Sequence, residues 1–417
     1  MSEAFERVCM VGLGYIGLPT AAVMASRGLQ VIGLEVNEAA VDTINSGGVH
    51  IVEPDLDIVV RSVVTTGNLR ATTVAEAADA FLIAVPTPFN GEQHTPDLSY
   101  IQAAAAAIAP VLEKGNLIVL ESTSPVGTAE KLAGWLADAR PDLKFPQTAG
   151  NQADVQIAYC PERVLPGYVL QELVNNDRII GGMSDRCAEK ASSLYKTFVK
   201  GECLPTTART AELCKLTENA YRDVNIAFAN EMSLVCDELG VNVWDLIALS
   251  NRHPRVSILQ PGPGVGGHCI AVDPWFIVDS APDSARLIRT AREVNDSKPH
   301  HIIKRVLAKA ERFKSPRIAC FGLAFKADID DIRESPAVDI CLELAKSIST
   351  SILVVEPNVE VLPKVIADIA NLKLCSISDA LAEADIILGL VDHKEFRALS
   401  REALVEKVVI DTRGMWR

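Results

Sequence analysis

Apolar positions fall into two patterns along the chain: short unbroken runs, and longer stretches at helical spacing. Val8–Val11 is a run that ends at Gly12, and Val31–Leu34 is another that ends at Glu35. Between them a helical pattern extends from about Tyr15 to Arg27, and Gly28 stops it. Run, helix and run make a βαβ unit. Further strand-like runs are Ala80–Val85, Leu117–Leu120 and Val155–Tyr159, with helical patterns between them. Strands that alternate with helices predict a parallel, doubly wound sheet. From about Thr210 to Leu239 there is no strong Gly or Pro break, and the apolar spacing predicts one long helix. The last part of the chain repeats the first. Ile318–Phe321 ends at Gly322, and Ile352–Val355 leads into Glu356-Pro357-Asn358, just as Val31–Leu34 leads into Glu35-Val36-Asn37. Runs at Ile386–Leu390 and Val408–Ile410 continue the repeat. The expected fold class is α/β, with two Rossmann-like doubly wound domains joined by a long central helix. The expected divisions are residues 1–205, 206–314 and 315–417. A cleft between two such domains is a natural place for two nucleotides.

Composition narrows the function classes. A chain of 417 residues, 48% hydrophobic, is too long for one core. Its net charge of −14 repels polyanions, so neither nucleic acid nor an anionic membrane is an expected partner. The opening Ser2-Glu3-Ala4-Phe5-Glu6 has no apolar core of a signal peptide. The Ala-rich run Ile101–Leu112 is too short to span a bilayer and reads as a buried helix. Ten cysteines are scattered singly, which fits reduced thiols in a cytoplasm. No spacing of His and Cys resembles a metal site, so none is expected.

Two segments carry chemistry. Gly12-Leu13-Gly14-Tyr15-Ile16-Gly17 fits GxGxxG, after a strand and at the opening of a helix. The first Gly permits the turn, the second lets backbone approach a pyrophosphate, and the third lets helix and strand pack. Glu35 ends the second strand, where a carboxylate accepts hydrogen bonds from a ribose 2′-OH and repels a 2′-phosphate. The expected cofactor is therefore NAD. The second segment is Gly262-Pro263-Gly264-Val265-Gly266-Gly267-His268-Cys269. Four glycines in such a run imply backbone that approaches a ligand closely or needs positive φ. A Cys directly after it is presented rather than packed, and reads as a nucleophile. The other nine cysteines read as inert core thiols. His268 is a weaker candidate for a base, since neighbours in sequence need not face each other. Lys215 and Asn219, four apart on the predicted long helix, share a face and offer a cation and an amide donor to one oxyanion. Spacing alone leaves a solvated Lys and a surface Asn equally open.

Taken together, these pieces resemble the UDP-glucose/GDP-mannose dehydrogenase family. The matching segments run from end to end: VGLGYIGLP (11–19), VPTP (85–88), ESTSPVGT (121–128), PERVLPG (161–167), AELCKLTENAYR (211–222), HPRVSIL (253–259), GPGVGGHCIAVDP (262–274) and GLAFKADIDDIRES (322–335). The resemblance implies an NAD domain, a central dimerising helix and a UDP-binding domain, hence at least a homodimer. Pro166, Val265 and His268 stand where UDP-glucose enzymes typically carry Glu, Phe and Ser. Those departures point to a 2-acetamido sugar, with UDP-N-acetyl-D-mannosamine foremost and UDP-N-acetylglucosamine as the alternative.

The resemblance also implies roles by position. Cys269 attacks the aldehyde from a first oxidation, and the resulting thioester is hydrolysed to the acid. Lys215 and Asn219 stabilise the oxyanion. Glu162 and Asp273 handle protons and water, and Thr123 helps to place that water. Tyr15, Ile16, Glu35, Thr87 and Thr128, together with Arg333, contact NAD. Arg163, Val164, Arg222, His253, Arg255, Gly266, Phe325 and Lys326 contact the sugar nucleotide, with Arg413 a weaker candidate. The product would feed surface polysaccharide. Each role has a local rival: Arg333 could pair with Glu334, Asp273 before Pro274 could start a turn, and Glu162 could be a helix N-terminal acid. Two rival functions remain. A two-electron β-hydroxyacid dehydrogenase shares the Rossmann domain and a helix with Lys and Asn, but needs no Cys. A non-catalytic NAD-sensing scaffold would need none of Cys269, Lys215 and Asn219.

Overall fold

The computed structural model describes residues 5–90, 95–165, 167–267 and 269–417. The chain divides into two compact units, Met1–Glu218 and Asn219–Arg417.

The first unit is built on an eight-stranded sheet. Its strands are Arg7–Val11 (β1), Gln30–Leu34 (β2), Leu69–Thr72 (β3), Ala80–Ile83 (β4), Leu117–Leu120 (β7), Gln156–Tyr159 (β8), Arg178–Gly182 (β9) and Cys203–Thr207 (β10). A separate two-stranded ribbon pairs Phe89–Asn90 (β5) with Thr95–Pro96 (β6). The order is β10-β9-β8-β7-β4-β1-β2-β3, and the reversal beside β1 is the switch point where doubly wound sheets hold ligands. After Arg7, β1 is apolar at every position because both faces of the sheet are covered. Val8 and Met10 enter one core, while Cys9 and Val11 enter the other. β9 and β10 run parallel to each other, but β9 is antiparallel to β8. The sequence pattern misses this pair because β10 is a largely exposed strand containing Pro205, with no apolar run to mark it.

The second unit carries a five-stranded parallel sheet in the order β13-β12-β11-β14-β15. The strands are Ile318–Phe321 (β11), Ile352–Val355 (β12), Leu372–Leu374 (β13), Ile386–Gly389 (β14) and Val408–Asp411 (β15). Here Ile318 and Cys320 face one core, and Ala319 and Phe321 the other, as along β1.

The long helix spans Ala208–Leu239, 32 residues, or about 48 Å at the standard rise. A second long helix, Arg286–Ala310, continues through Pro299. The Ala-rich run forms the helix Ser99–Ile108 and ends in a tighter turn, Ala109–Val111, at Pro110. Among the described residues no helix is long and apolar enough to cross a membrane, and no group of three or more His, Cys, Asp or Glu could hold a metal ion.

Candidate active site

The Gly12 turn follows β1 and opens the helix Gly17–Ser26. Gly12 has φ +89°, and a Cβ there would meet the Ala84 carbonyl oxygen at 2.8 Å. A Cβ on Gly17 would lie 1.9 Å from the Gly12 oxygen, so no side chain fits. Gly14 differs: beyond its chain neighbours, no atom among the described residues lies within 4 Å of its ideal Cβ. The protein therefore needs the first and third glycines for its own packing, whereas the space beside the second is open to a ligand. The Glu35 carboxylate accepts the Leu13 N–H at 3.0 Å and the Asn37 N–H at 3.1 Å, and so stands at the rim of the turn. Tyr15 and Ile16 lie directly before the helix, with Tyr15 47% exposed. The buried Thr87 hydroxyl oxygen has no hydrogen-bond partner among the described residues. Open space, a rim carboxylate and an orphan hydroxyl fit a bound dinucleotide. Thr128 is spent differently, since its hydroxyl donates to the Pro125 carbonyl at 2.7 Å.

Several acids of this unit are buried. Glu162 accepts from Arg178 at 2.5 Å and from the Arg163 N–H at 2.6 Å. It precedes no helix: its partner is a buried guanidinium, so the reading as a helix N-terminal acid is set aside. Glu121, at the end of β7, receives the Tyr195 hydroxyl, and its second oxygen is buried without a partner among the described residues. Burial pushes its pKa up to about 7, the Tyr195 bond opposes this, and the Glu162 charge adds to it. Arg163 forms an ion pair with Glu218 at 2.8 Å, and Val164 packs on the core. Thr123 and Lys215, both half-buried, belong to this unit as well.

Three of these anchors were invisible to sequence reasoning. The Glu53 carboxylate accepts the N–H groups of Gly167 and Val169 at 2.9 Å each, and so ties the backbone at 167 and 169 to a side chain far off in sequence. Glu212 accepts from Gly127 and Ala129 at 2.6 and 2.8 Å, which caps the helix Thr128–Ala139 with an acid of the long helix. Arg178 and Glu162 are 16 residues apart, a separation that matches no local spacing rule.

In the second unit the glycine run lies against the 325–336 segment. A Cβ on Gly266 would meet the Glu334 carbonyl oxygen at 2.4 Å, and one on Gly262 would meet an Arg413 nitrogen at 2.7 Å. These glycines are small because other parts of the unit occupy the space. Gly267, at φ +83°, donates its N–H to the Glu334 carbonyl at 3.1 Å. His268 lies outside the described residues, as do Pro166 and the stretch 91–94.

Cys269 follows with an exposed thiol. Of the other cysteines, Cys9, Cys160, Cys187, Cys236, Cys320 and Cys341 are buried and the remaining three half-buried. The Cys269 carbonyl accepts the Asp273 N–H at 2.9 Å. Asp273 opens the helix Asp273–Ser280 ahead of Pro274, rather than a simple turn. Its side chain is 3% exposed and accepts the Asn219 amide at 2.6 Å. The fold thus joins Asn219 of the long helix to Asp273, 54 residues on and four beyond Cys269. Asn219 is four residues beyond Lys215 on that helix, so the two share a face.

A buried polar chain fixes the start of the glycine run. Gly262 N–H donates to the Asn230 side-chain oxygen at 2.9 Å, Asn230 donates to Asn295 at 2.8 Å, and Asn295 donates to Asp223 at 2.8 Å. Arg292 closes the chain on Asp223 at 2.6 Å. Phe325 is half-buried beside Gly266, and Lys326 is exposed. Arg413 is held by Asp392 at 2.9 Å. Arg333 pairs with Asp331 at 2.7 Å. Arg222, His253 and Arg255 are exposed, and no hydrogen bond among the described residues links them to the Cys269 cluster.

Residues 6–199 match the NAD binding domain of the UDP-glucose/GDP-mannose dehydrogenase family, 209–297 its central domain and 319–417 its UDP binding domain. The chain belongs to that family. It is an NAD-dependent nucleotide-sugar dehydrogenase by that membership, as its resemblance implied. A Ralstonia nicotianae protein, "NDP-N-acetyl-D-galactosaminuronic acid dehydrogenase", is 64% identical over 99% of this chain and 96% of its own. A Salmonella typhi protein, "UDP-N-acetyl-D-mannosamine dehydrogenase", is 60% identical over 99% of this chain and 100% of its own. The solved UDP-N-acetyl-mannosamine dehydrogenase of Staphylococcus aureus superposes with a TM-score of 0.84 at 40% identity, covering 99% of this chain and 95% of that one.

Proposed function

We propose that the protein oxidises C6 of UDP-N-acetyl-D-mannosamine in two steps to UDP-N-acetyl-D-mannosaminuronic acid. The observation that carries this reading is the exposed Cys269, set after a glycine run and four residues before Asp273, whose side chain bonds Asn219. The 60% and 40% identical mannosamine dehydrogenases support the sugar.

NAD⁺ would supply the hydride acceptor, a fresh NAD⁺ for each of the two oxidations. The alcohol gives up a hydride and a proton and becomes the aldehyde. The Cys269 thiolate adds to that aldehyde, because a carbonyl carbon becomes a good hydride donor only once it is tetrahedral. The thiohemiacetal gives up a second hydride and a proton and becomes a thioester on Cys269. Water then cleaves the C–S bond and releases the acid and the thiol. The Lys215 ammonium and the Asn219 amide stabilise the alkoxide, an effect that grows where water is excluded. Asp273, buried beside Asn219, and Glu162, held by Arg178, are the proton carriers, with Thr123 placing the hydrolytic water. Arg163, Val164, Arg222, His253, Arg255, Gly266, Phe325, Lys326 and Arg413 hold the sugar nucleotide. Tyr15, Ile16, Glu35, Thr87, Thr128 and Arg333 hold the cofactor. The protein works as a homodimer in the cytoplasm. Tyr221, Phe228 and Val235 support the dimer, since they are exposed at seven-residue spacing on the long helix.

The 64% identical relative named for N-acetyl-D-galactosaminuronic acid supports a second reading, with the galacto epimer as substrate. A panel of UDP-N-acetylmannosamine, UDP-N-acetylgalactosamine, UDP-N-acetylglucosamine, UDP-glucose and GDP-mannose, ranked by kcat/KM, tests both. The mannosamine nucleotide is expected to lead. A lead for either non-acetylated sugar would end both readings.

A further inference from the structure

The mechanism uses nothing of His393, a fully buried imidazole in the second unit. Its Nδ1 accepts the Asp328 N–H at 2.9 Å, which leaves Nε2 as the nitrogen that donates to Glu356 at 3.1 Å. The same Glu356 oxygen accepts the N–H groups of Leu323 and Ala324 at 2.7 and 3.1 Å. The other Glu356 oxygen accepts the Asn358 N–H at 3.1 Å. One ring therefore joins the two ends of the 323–328 loop, accepting through Nδ1 and donating through Nε2. The far end is tightened further. Asp328 sits at φ +62°, a conformation that only a firmly held non-glycine residue keeps, and its carboxylate accepts the Lys394 N–H at 2.8 Å.

Between those ends lies Phe325. Its backbone N–H donates to the Asp331 carbonyl at 3.1 Å. Its Cβ would lie 3.1 Å from a Cβ on Gly266, and its ring 3.5 Å from one on Gly267. Gly267 stands two residues before Cys269. The loop that the imidazole holds therefore faces the glycine run through Phe325.

We infer that His393 is a positioning residue: with Glu356 it fixes the 323–328 loop, and through Phe325 it sets where Cys269 stands. The catalytic part rests on the function proposed above, whereas the positioning part does not, and the test separates them. The full-length protein is compared with His393→Gln, Phe325→Ala and the double variant. Two readouts are taken, the turnover number with the UDP-sugar and the rate at which iodoacetamide alkylates Cys269, resolved by peptide mass. Alkylation needs no substrate, so it reads the thiol even if no sugar is turned over. Each single variant is expected to lower kcat by roughly tenfold or more while KM for NAD stays within about twofold. Each is expected to change Cys269 alkylation by roughly threefold or more, with Cys214 in the first unit unaffected. The double variant is expected to match the more damaging single one, since both act along one path. The Asn358 side-chain amide lies 3.2 Å from His393 Nδ1, so Asn358→Ala loosens the same ring more mildly, supplies a second variant should His393→Gln unfold, and is expected to shift alkylation in the same sense. Unchanged alkylation and kcat in stably folded variants would overturn the inference, as would additive effects in the double variant.

Discussion

In the first unit the Gly12 N–H bonds to the Leu34 carbonyl at 2.8 Å, and in the second the Gly322 N–H bonds to the Val355 carbonyl at 2.8 Å. Each turn has a glycine at strongly positive φ, +89° and +99°. Each receives a carboxylate from the end of the neighbouring strand, with Glu35 on Leu13 N–H and Glu356 on Leu323 N–H. Beyond that point they part. In the first unit Gly14 keeps its flank open and the helix starts at Gly17. In the second, Ala324 is buried, residues 323–335 intervene before the helix Pro336–Ser347, and His393 fills the place beside the acid. The same strand–turn–strand geometry thus leaves its acid at a ligand rim in one copy and seals it into an internal clamp in the other. A shared fold does not carry a shared site.

The comparison can be broken most severely at Cys269. Cys269→Ala is expected to lower acid formation by about a thousandfold or more while NAD affinity, read by fluorescence titration, stays within about twofold. Parallel loss of NAD affinity would mean that Cys269 also serves cofactor binding. Gly14→Ala is next. Among the described residues no atom beyond its chain neighbours opposes the added methyl, so the melting temperature is expected to hold while KM for NAD rises about tenfold or more. The mirror change, Ala324→Gly, should leave NAD kinetics alone.

Glu35→Ala is expected to shift the NAD-to-NADP preference by about tenfold, roughly 1.4 kcal/mol, toward NADP. Glu356→Gln should leave that preference unaltered and cost stability instead, about 2 kcal/mol at neutral pH. Burial pushes the Glu356 carboxyl up, but the His393 bond and the backbone N–H donors outweigh it, and the net shift is below the ordinary value of 4.5. A lowered folded pKa stabilises above that ordinary value and is lost as pH falls through the folded one. The gap between wild type and Glu356→Gln should therefore narrow below about pH 4.5. Thermal melts at stepped pH check this, and a gap that widens in acid would reverse the assignment.

Much of the scaffold was legible in the chain. Val8–Val11 and Ile318–Phe321 read as strands because a sheet covered on both faces requires apolar residues at every position. Gly12, Gly14 and Gly17 read as a dinucleotide turn because each glycine has a separate steric reason. Asn219 and Asp273 were each legible as candidates, but their mutual bond was not, since 54 residues separate them. The Arg178–Glu162 pair, the Glu212 cap and the chain from Arg292 to Gly262 were equally hidden. Such contacts are made by tertiary packing and leave no period to read. Glu356 lies between these cases: the echo of Glu35 was visible, yet its imidazole partner 37 residues on was not.

The central claim is that one active site takes a sugar alcohol through two oxidations on Cys269. The most direct test counts NADH formed per UDP-N-acetylmannosamine consumed, with the product identified by mass. Two NADH and a uronic acid are predicted for the wild type. One NADH with a released aldehyde would contradict the account.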